Sequence, residues 1–145
     1  MNTGAENSAG EKPRAQPESF RGRELSASLT VKDIRKSLAW YRDVVGFTVR
    51  QEFERGDVLR AVSLKAGSVA ILLTQDDGAK GLDRAKGDGF SLQITTAQNV
   101  DDIANRIKQR GGVLESDPAD AFGARVFRMK DPDGFRLVIS SERSS

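Results

Sequence analysis

The sequence predicts an α+β protein built from two copies of a strand-helix-three-strand module, βαβββ. Three observations support this fold class: stretches of alternating apolar and polar residues, two amphipathic helical segments, and recurrence of the whole order about 65 residues later. The predicted helix N-caps Asp33 and Asn99 are 66 positions apart, and the helix-ending glycines Gly46 and Gly111 are 65 apart. Two copies are too few for a solenoid, so we expect a pseudo-twofold pair.

The first module begins with a strand at residues 24–31, where apolar residues occupy the odd positions and polar residues the even ones. Asp33 then offers an N-cap to a helix that ends at Gly46, because glycine adopts the left-handed conformation that terminates helices. Three further strands, separated by short turn signals, are predicted at residues 47–53, 58–65 and 68–75.

The second module repeats this order with a strand at residues 89–96 and a helix that starts near Asn99 and ends at Gly111 and Gly112. Its remaining strands are predicted at residues 113–115, 124–130 and 135–140. A segment rich in Gly, Asp and Lys joins the modules. We therefore expect one domain over residues 22–145, with module one at about 23–76 and module two at about 88–141.

Length and composition narrow the chemistry. The chain has 145 residues, enough for one domain with a real core. It contains no cysteine and no histidine, so the commonest metal ligand and the usual general base are both absent. The 23 basic and 21 acidic residues are interspersed, with a net charge of +2, and no nucleic-acid or membrane partner is expected. Residues 1–21 are predicted to form a disordered polar tail, and the protein is expected to be cytoplasmic.

Three segments together resemble the vicinal oxygen chelate superfamily, which includes glyoxalase I, extradiol dioxygenases, fosfomycin resistance enzymes and bleomycin-binding proteins. They are LTVKDI at residues 29–34, SLAWYRDVVGF at 37–47 and DPDGF at 131–135. The resemblance covers about residues 23–141. It implies that each module curls into half a barrel and that the two modules enclose a central cavity. It also implies a homodimer, because such cavities are often completed by a second copy of the chain.

The metal-using members of that superfamily place four ligands, mostly His, Gln and Glu, on the inner face. The resemblance carries these positions onto Ser26, Leu72, Ser91 and Val138. Leucine and valine have no donor atom, and a neutral serine hydroxyl is a poor ligand for the transition metals of such sites. We therefore expect no metal and no other cofactor, and metal-dependent glyoxalase or dioxygenase activity is disfavoured.

The strand side that carries these positions predicts a cavity lined mainly by small hydroxyl residues, while the opposite, apolar side covers the helices. Arg60 and Arg125 lie within strands and are candidates for binding a carboxylate or phenolate. A loop at residues 115–122 is expected to overhang the cavity, so Phe122 and Phe127 are candidates for its apolar wall. The expected ligand-binding residues are Ser26, Ser28, Arg60, Leu72, Ser91, Gln93, Arg125, Phe127, Arg136 and Val138.

The same residues also fit a purely structural role. The hydroxyl groups could satisfy one another in a narrow closed barrel. Asp131 and Asp133 precede a strand within a turn, where carboxylates usually accept hydrogen bonds from nearby backbone amides instead of acting in catalysis. Trp40 and Tyr41 are neighbours on a helix and point in different directions, so at least one is expected to pack in the core.

Three functions remain open on the sequence. The favoured one is binding or sequestration of a small organic molecule in the cavity, because it needs only a complementary pocket. A metal-free lyase or isomerase-like enzyme is the second, although no general base is identified for it. An accessory dimerising protein with a vestigial pocket is the third. The sequence does not name the ligand.

Overall fold

A computed structural model describes residues 19–143, so the predicted disordered tail at residues 1–21 lies almost wholly outside the described residues. The first module comprises β1 (Ala27–Val31), α1 (Ile34–Ala39) with a π-helical continuation (Trp40–Val45), β2 (Thr48–Arg55), β3 (Val58–Ala66) and β4 (Val69–Gln75). The second comprises β5 (Ser91–Thr96), α2 (Val100–Gln109), β6 (Leu114–Ala121), β7 (Ala124–Lys130) and β8 (Arg136–Ser141). The predicted order of elements is confirmed.

Each module forms its own four-stranded sheet, in the orders β1-β4-β3-β2 and β5-β8-β7-β6. The first and last strands of each module pair in parallel, and the other neighbours are antiparallel. A parallel pair needs a crossover connection, which in each module includes the helix. The α+β class with two βαβββ modules is thus confirmed, and the two sheets of the described chain are not joined into a closed barrel.

Both helices start and stop where the sequence predicts. The Asp33 carboxylate accepts a hydrogen bond from the Lys36 amide at 3.2 Å, and the Asn99 side chain accepts one from the Asp102 amide at 2.9 Å. Gly46 has a φ of 110°, a left-handed conformation that a side chain would strain. No helix among residues 19–143 is long and apolar enough to span a membrane.

One hydrophobic core fills the space between the helices and the sheets and draws on both modules. The apolar sides of the central strands meet the helices there, as predicted from the alternation. Gly112 lies at a close approach of the two modules, since a Cβ at this position would collide with Ile107 of α2 and Val44 of the π-helical turn. The modules therefore pack back to back through their helices.

A buried hydrogen bond links the first helix to the second module. Tyr41, which is 0% exposed, donates its hydroxyl to Asp131 at 2.7 Å. The other carboxylate oxygen of Asp131 accepts from the amides of Asp133 and Phe135, both at 2.9 Å. Burial raises the pKa of Asp131, and burial together with the Asp131 charge raises the pKa of Tyr41. Two predictions are thus confirmed: Tyr41, one of the two neighbouring aromatic residues, packs in the core, and Asp131 accepts hydrogen bonds from backbone amides.

A second polar link fastens the connector between modules. The Lys86 ammonium, whose side chain is 5% exposed, lies 2.8 Å from the Asp76 carboxylate and 3.6 Å from that of Asp133. It also donates to the Thr30 carbonyl at 3.0 Å. Asp76 accepts further hydrogen bonds from the Gly78 amide and the Arg84 guanidinium. One lysine therefore bridges β1, the end of β4 and the β7–β8 turn.

The Asp133 carboxylate also accepts a hydrogen bond from the backbone amide of Lys32 at 2.7 Å. A bond to a backbone amide was predicted for Asp133, but the donor is distant in sequence.

The largest correction to the predicted elements concerns β6. Residues 115–122 were expected to form a loop over the cavity, but β6 continues to Ala121 and pairs antiparallel with β7. The register is irregular between Ser116 and Ala119, around Pro118. Proline interrupts the pattern of alternation without preventing an edge strand, because the outer side of an edge strand needs no amide donor.

Candidate ligand-binding face

The side of each sheet that faces away from the helices is called its open face here. In the first module the register places Ser28 of β1, Leu72 of β4 and Ser63 of β3 side by side on this face. Thr30 and Thr74 form the next row and share a hydrogen bond at 3.3 Å. The middle of the first open face is therefore uncharged, with short hydroxyl groups around an aliphatic centre, and the exposed Lys65 lies in the neighbouring row beside Ala70.

A cleft of about 270 Å³ lies on this open face. Its lining combines small polar, apolar and aromatic side chains with one guanidinium: Ser26, Ala27, Ser28, Arg50, Phe53, Ser63, Ala70, Ile71 and Leu72. Phe53 is 42% exposed, so the edge of the cleft offers an aromatic surface to a ligand.

Irregularities in the strand pairing place two arginines of the first module. Val49 pairs with Leu64 and Gln51 with Ser63, so Arg50 is an extra residue at a β-bulge. A second bulge lies in β3, where Leu59 pairs with Glu54 and Ala61 pairs with Phe53. Arg60, between them, has no partner on β2. A bulge redirects the side chain it contains, and this explains why Arg50, which is not among the predicted site residues, lines the cleft.

The open face of the second sheet has the same arrangement but a different chemistry. Gln93 of β5, Val138 of β8 and Arg128 of β7 lie side by side in register. The neighbouring row contains Ser91, Arg136 and Lys130. Positive charge therefore crosses the middle of this face, where the first module has serine and leucine.

One acidic residue, Glu115, stands at a bulge of β6 against this positive charge. The Arg136 guanidinium donates to its two oxygens at 2.8 and 3.0 Å, and the Lys130 ammonium lies 3.7 Å away. These hydrogen bonds, chiefly the one from Arg136, lower the pKa of Glu115. The Arg128 side chain is exposed, and its guanidinium makes no hydrogen bond or ion pair with any residue in the described part of the chain.

Two predicted site residues do not lie on an open face. Arg125 is on the helix side of β7 and binds Asp101 of α2 at 3.0 and 3.2 Å. Phe127 is 0% exposed and belongs to the core. The expectation that both line the cavity is corrected, because alternation along β7 sends odd-numbered residues towards α2. Phe122, the other candidate wall residue, is 89% exposed in the β6–β7 turn.

The remaining predicted residues occupy or border the two open faces. Ser26, Ser28 and Leu72 line the cleft on the first sheet, and Arg60 is exposed at its bulge. Ser91, Gln93, Arg136 and Val138 lie on the second sheet. Sequence reasoning missed Ser63 and Arg128. Both lie between apolar residues in a strand, so the alternation along β3 and β7 places them on the open side.

The four positions onto which the resemblance carries the metal ligands lie on these open faces or at their edge. They provide two hydroxyls, from Ser26 and Ser91, and two aliphatic side chains, from Leu72 and Val138. This donor set does not fit a transition metal. Among residues 19–143 there is also no group of three or more His, Cys, Asp or Glu side chains arranged to hold a metal ion.

Comparison with known proteins identifies the family. Residues 25–139 match a sequence model of the Glyoxalase/Bleomycin resistance protein/Dioxygenase superfamily. The chain belongs to this superfamily. Within it, the chain is 24% identical over 124 residues to a lactoylglutathione lyase of Salmonella typhimurium, covering 81% of this chain and 90% of that relative.

Many solved structures have the same fold as this chain. TnmS3, an antibiotic binding protein from Streptomyces sp. CB03234, superposes with a TM-score of 0.66 at 20% identity, over 86% of this chain and 98% of that one. TioX from Micromonospora sp. ML1 gives 0.66 at 18% identity, over 83% and 98%. A superfamily member from Sphaerobacter thermophilus gives 0.67 at 21% identity, over 84% and 98%. These likenesses show the fold.

Proposed function

We propose that this superfamily member binds a small organic molecule on the open faces of its two sheets and does so without a metal. The observation that carries the proposal is the contrast between the two sides of each sheet. The helix sides are packed into a shared core, whereas the open faces present hydroxyl, amide and guanidinium groups around apolar centres. Binding sites for small molecules combine apolar surface with a few placed polar groups in this way.

The cleft on the first sheet supplies the apolar part of the site. Leu72 lies at its centre and Phe53 at its edge, while Ser28 and Ser63 offer hydroxyls that can donate or accept. Its volume of about 270 Å³ is just below the range of about 300–1,000 Å³ that is typical of ligand pockets. A ligand larger than a single ring would therefore extend beyond it.

A second copy of the chain is the proposed cover of the open faces. Ser91, Gln93 and Thr95 are exposed on one sheet, and Phe53 exposes apolar surface on the other. A ligand on an uncovered sheet keeps much of its surface in water, which limits its affinity. A homodimer that brings two open faces together would enclose the ligand and bury this apolar surface.

The similarity to TnmS3 supports binding as the function, since that protein is an antibiotic binding protein on the same fold. Metal independence is supported by the donor chemistry at Ser26, Leu72, Ser91 and Val138. Binding alone requires no general base, which suits a chain without histidine.

A thermal-shift screen tests the proposal. Purified protein is heated with antibiotics, aromatic acids and amides, and glutathione conjugates, and a compound that binds the folded state raises the unfolding midpoint. Leu72→Trp fills the cleft and should abolish the shift, whereas Arg35→Trp, on the exposed side of α1, should retain it. If no compound stabilises the protein, or if Leu72→Trp binds as well as the wild type, the proposed site is wrong.

Two further measurements address the metal and the dimer separately. Elemental analysis of the purified protein should find no stoichiometric transition metal, and one metal per chain would overturn metal independence. Sedimentation equilibrium should give the mass of two chains. A monomer at every concentration would contradict the proposed dimer and leave the open-face site to be judged by the screen.

A further inference from the structure

The second sheet contains an unpaired arginine at the centre of its open face. Arg128 lies on β7, an interior strand, between Val138 of β8 and Ser116 of β6. The other two arginines of β7 and β8 have carboxylate partners, Arg125 with Asp101 and Arg136 with Glu115. Arg128 has none among residues 19–143. Its five donor N–H groups point from a rigid strand with nothing in the described chain to accept from them.

A second unsatisfied group stands beside it. The Ser116 Oγ atom is buried and has no hydrogen-bond partner in the described structure. Ser116 pairs with Arg128 in the register of β6 and β7, so the two residues are adjacent on the sheet. Buried polar atoms without partners are uncommon in folded proteins, and an absent ligand or water is one explanation for them. The amide side chain of Gln93 on β5 lies in the same row as Arg128, with Val138 of β8 between them.

The charge of this open face favours an anion. Its basic side chains are Arg128, Lys130 and Arg136, and Glu115 is the carboxylate that Arg136 and Lys130 share. The nearby carboxylates of Asp101 and Asp120 engage Arg125 on the other side of the sheet. The open face thus keeps a surplus of positive charge around Arg128, and this surplus attracts anions and opposes cations.

The fold itself does not require this charge. The first module has Ser63 at the position equivalent to Arg128, which lies 65 residues later, and Ala70 at the position equivalent to Arg136, which lies 66 later. Both sheets form with the same order and register. Because a serine and an alanine serve the architecture in one module, folding does not require the two arginines in the other, and Arg128 is the one without a carboxylate partner among the described residues.

We propose that the ligand carries a carboxylate and that Arg128 binds it, with Ser116 as an additional donor. This inference rests on the proposed function and names the chemical class of the ligand: small organic acids instead of neutral or cationic molecules. A guanidinium matches the geometry of a carboxylate, with two parallel N–H···O bonds. A phosphate dianion is less suited, because the backbone amides here are engaged in strand pairing and no helix N-terminus opens onto the face.

Paired probes test this class directly. Aromatic carboxylic acids are each compared with their own primary amides by calorimetric titration against the wild type and three variants. The wild type should bind the acids more tightly than the amides. Arg128→Gln should weaken acid binding about 10- to 100-fold, the usual loss for a hydrogen bond to a charged group, and should abolish the preference over the amide. Ser116→Ala should cause a smaller loss.

Arg125→Gln is the matched control, because it removes an arginine of the same strand from the opposite face. It should keep the preference of the wild type for acids. Circular dichroism and the unfolding midpoint of each variant verify that the substitutions leave the fold intact.

The outcomes separate the two proposals. If amides bind as well as acids, or if Arg128→Gln keeps the preference, the carboxylate inference is overturned while the open-face site stands. If neither acids, amides nor any other compound of the thermal-shift panel binds, the proposed function and this inference fail together.

Discussion

The two modules share one side and differ on the other. On the helix side, equivalent residues are both apolar and both buried: Leu73 matches Ile139, 66 residues later, and Leu64 matches Met129, 65 residues later. Each of these side chains contributes to the same core, and replacing any of them would leave a cavity or a buried polar atom. Folding therefore constrains this side of both sheets equally.

On the open face, equivalent residues have different chemistry. Ser63 corresponds to Arg128, and the bulge residue Arg50 corresponds to Glu115. The first face carries Arg50 and the exposed Lys65, the counterpart of Lys130. The second adds Arg128 and Arg136, whose counterparts are uncharged, and the acidic residue Glu115. Folding accommodates both sets of residues, and this is why we propose that the open faces carry the function.

The link between the modules is also one-sided. Tyr41 donates to Asp131 from the first helix to the second module, but its equivalent in α2 is Ile107, a buried residue with no hydroxyl. The turn between β3 and β4 is correspondingly short and lacks an aspartate. The hydrogen bond between Tyr41 and Asp131 therefore has no counterpart in the repeat.

Replacing Tyr41 should have the largest effect on stability. Tyr41→Ala removes a fully buried ring and should lower the free energy of unfolding by about 3–5 kcal/mol. Tyr41→Phe keeps the ring and removes only the hydrogen bond to Asp131, so about 1–2 kcal/mol is expected. Urea unfolding provides both values. Ile107→Val, at the equivalent position, should cost about 0.5–1.5 kcal/mol. A Tyr41→Phe variant as stable as the wild type would show that the polar contact contributes nothing.

Breaking the Lys86 cluster should also be strongly destabilising. Lys86→Met leaves the carboxylates of Asp76 and Asp133 close together without their shared cation. Lys108→Met removes the cation of an exposed pair with Asp117, and such pairs contribute little. Thermal unfolding should therefore show a far larger loss for Lys86→Met than for Lys108→Met. Equal losses would indicate that the connector is not fastened by this cluster.

The pH dependence of stability should reveal the same cluster. The hydrogen bond from Lys86, then that from the Gly78 amide, lowers the pKa of Asp76 from 3.8 to about 2. A depressed carboxylate pKa stabilises the fold above the unfolded value, and this contribution is lost as the pH falls through the folded value. The stability difference between wild type and Asp76→Asn should be constant above about pH 5 and narrow between about pH 4 and pH 2.

Urea titrations at several pH values measure that difference. Comparing the two proteins cancels the opposite contribution of Asp131, whose raised pKa favours the fold below the ordinary aspartate value and disfavours it as the pH rises. A difference that does not change with pH would contradict the role assigned to Asp76.

The smallest effect on stability is expected on the open face. Arg128→Ser copies the first module's residue into the second, and it should change the free energy of unfolding by no more than about 0.5 kcal/mol. Arg128 is exposed and unpaired within the described residues, so nothing in the fold depends on it. A loss above about 2 kcal/mol in urea unfolding would show that folding constrains this face after all.

The sequence predicts the architecture well because local signals coincide with the repeat. Asp33 and Asn99 are N-caps, and Gly46 ends the first helix, as their chemistry requires. The edge strand β6 was predicted too short, at residues 113–115, because Pro118 and its neighbours break the alternation on which strand prediction depends.

The site was harder to predict than the fold. Arg125 was assigned to the cavity because a charge within an apolar strand looks functional, yet Asp101 of α2, 24 residues earlier, neutralises it on the helix side. Arg50 entered the cleft through a β-bulge, which depends on pairing between strands and leaves no mark on the sequence of β2. Contacts between distant segments therefore decided the site.

Mapping a bound ligand by NMR shows directly whether it binds on the open faces. The strongest compound of the thermal-shift panel is titrated into ¹⁵N-labelled protein, and the shifts of the backbone amides are followed. The largest changes are expected at open-face residues, including Ser28, Leu72, Gln93 and Arg128. Changes confined to α1 and α2, with the open faces unaffected, would show that the ligand does not bind on the open faces.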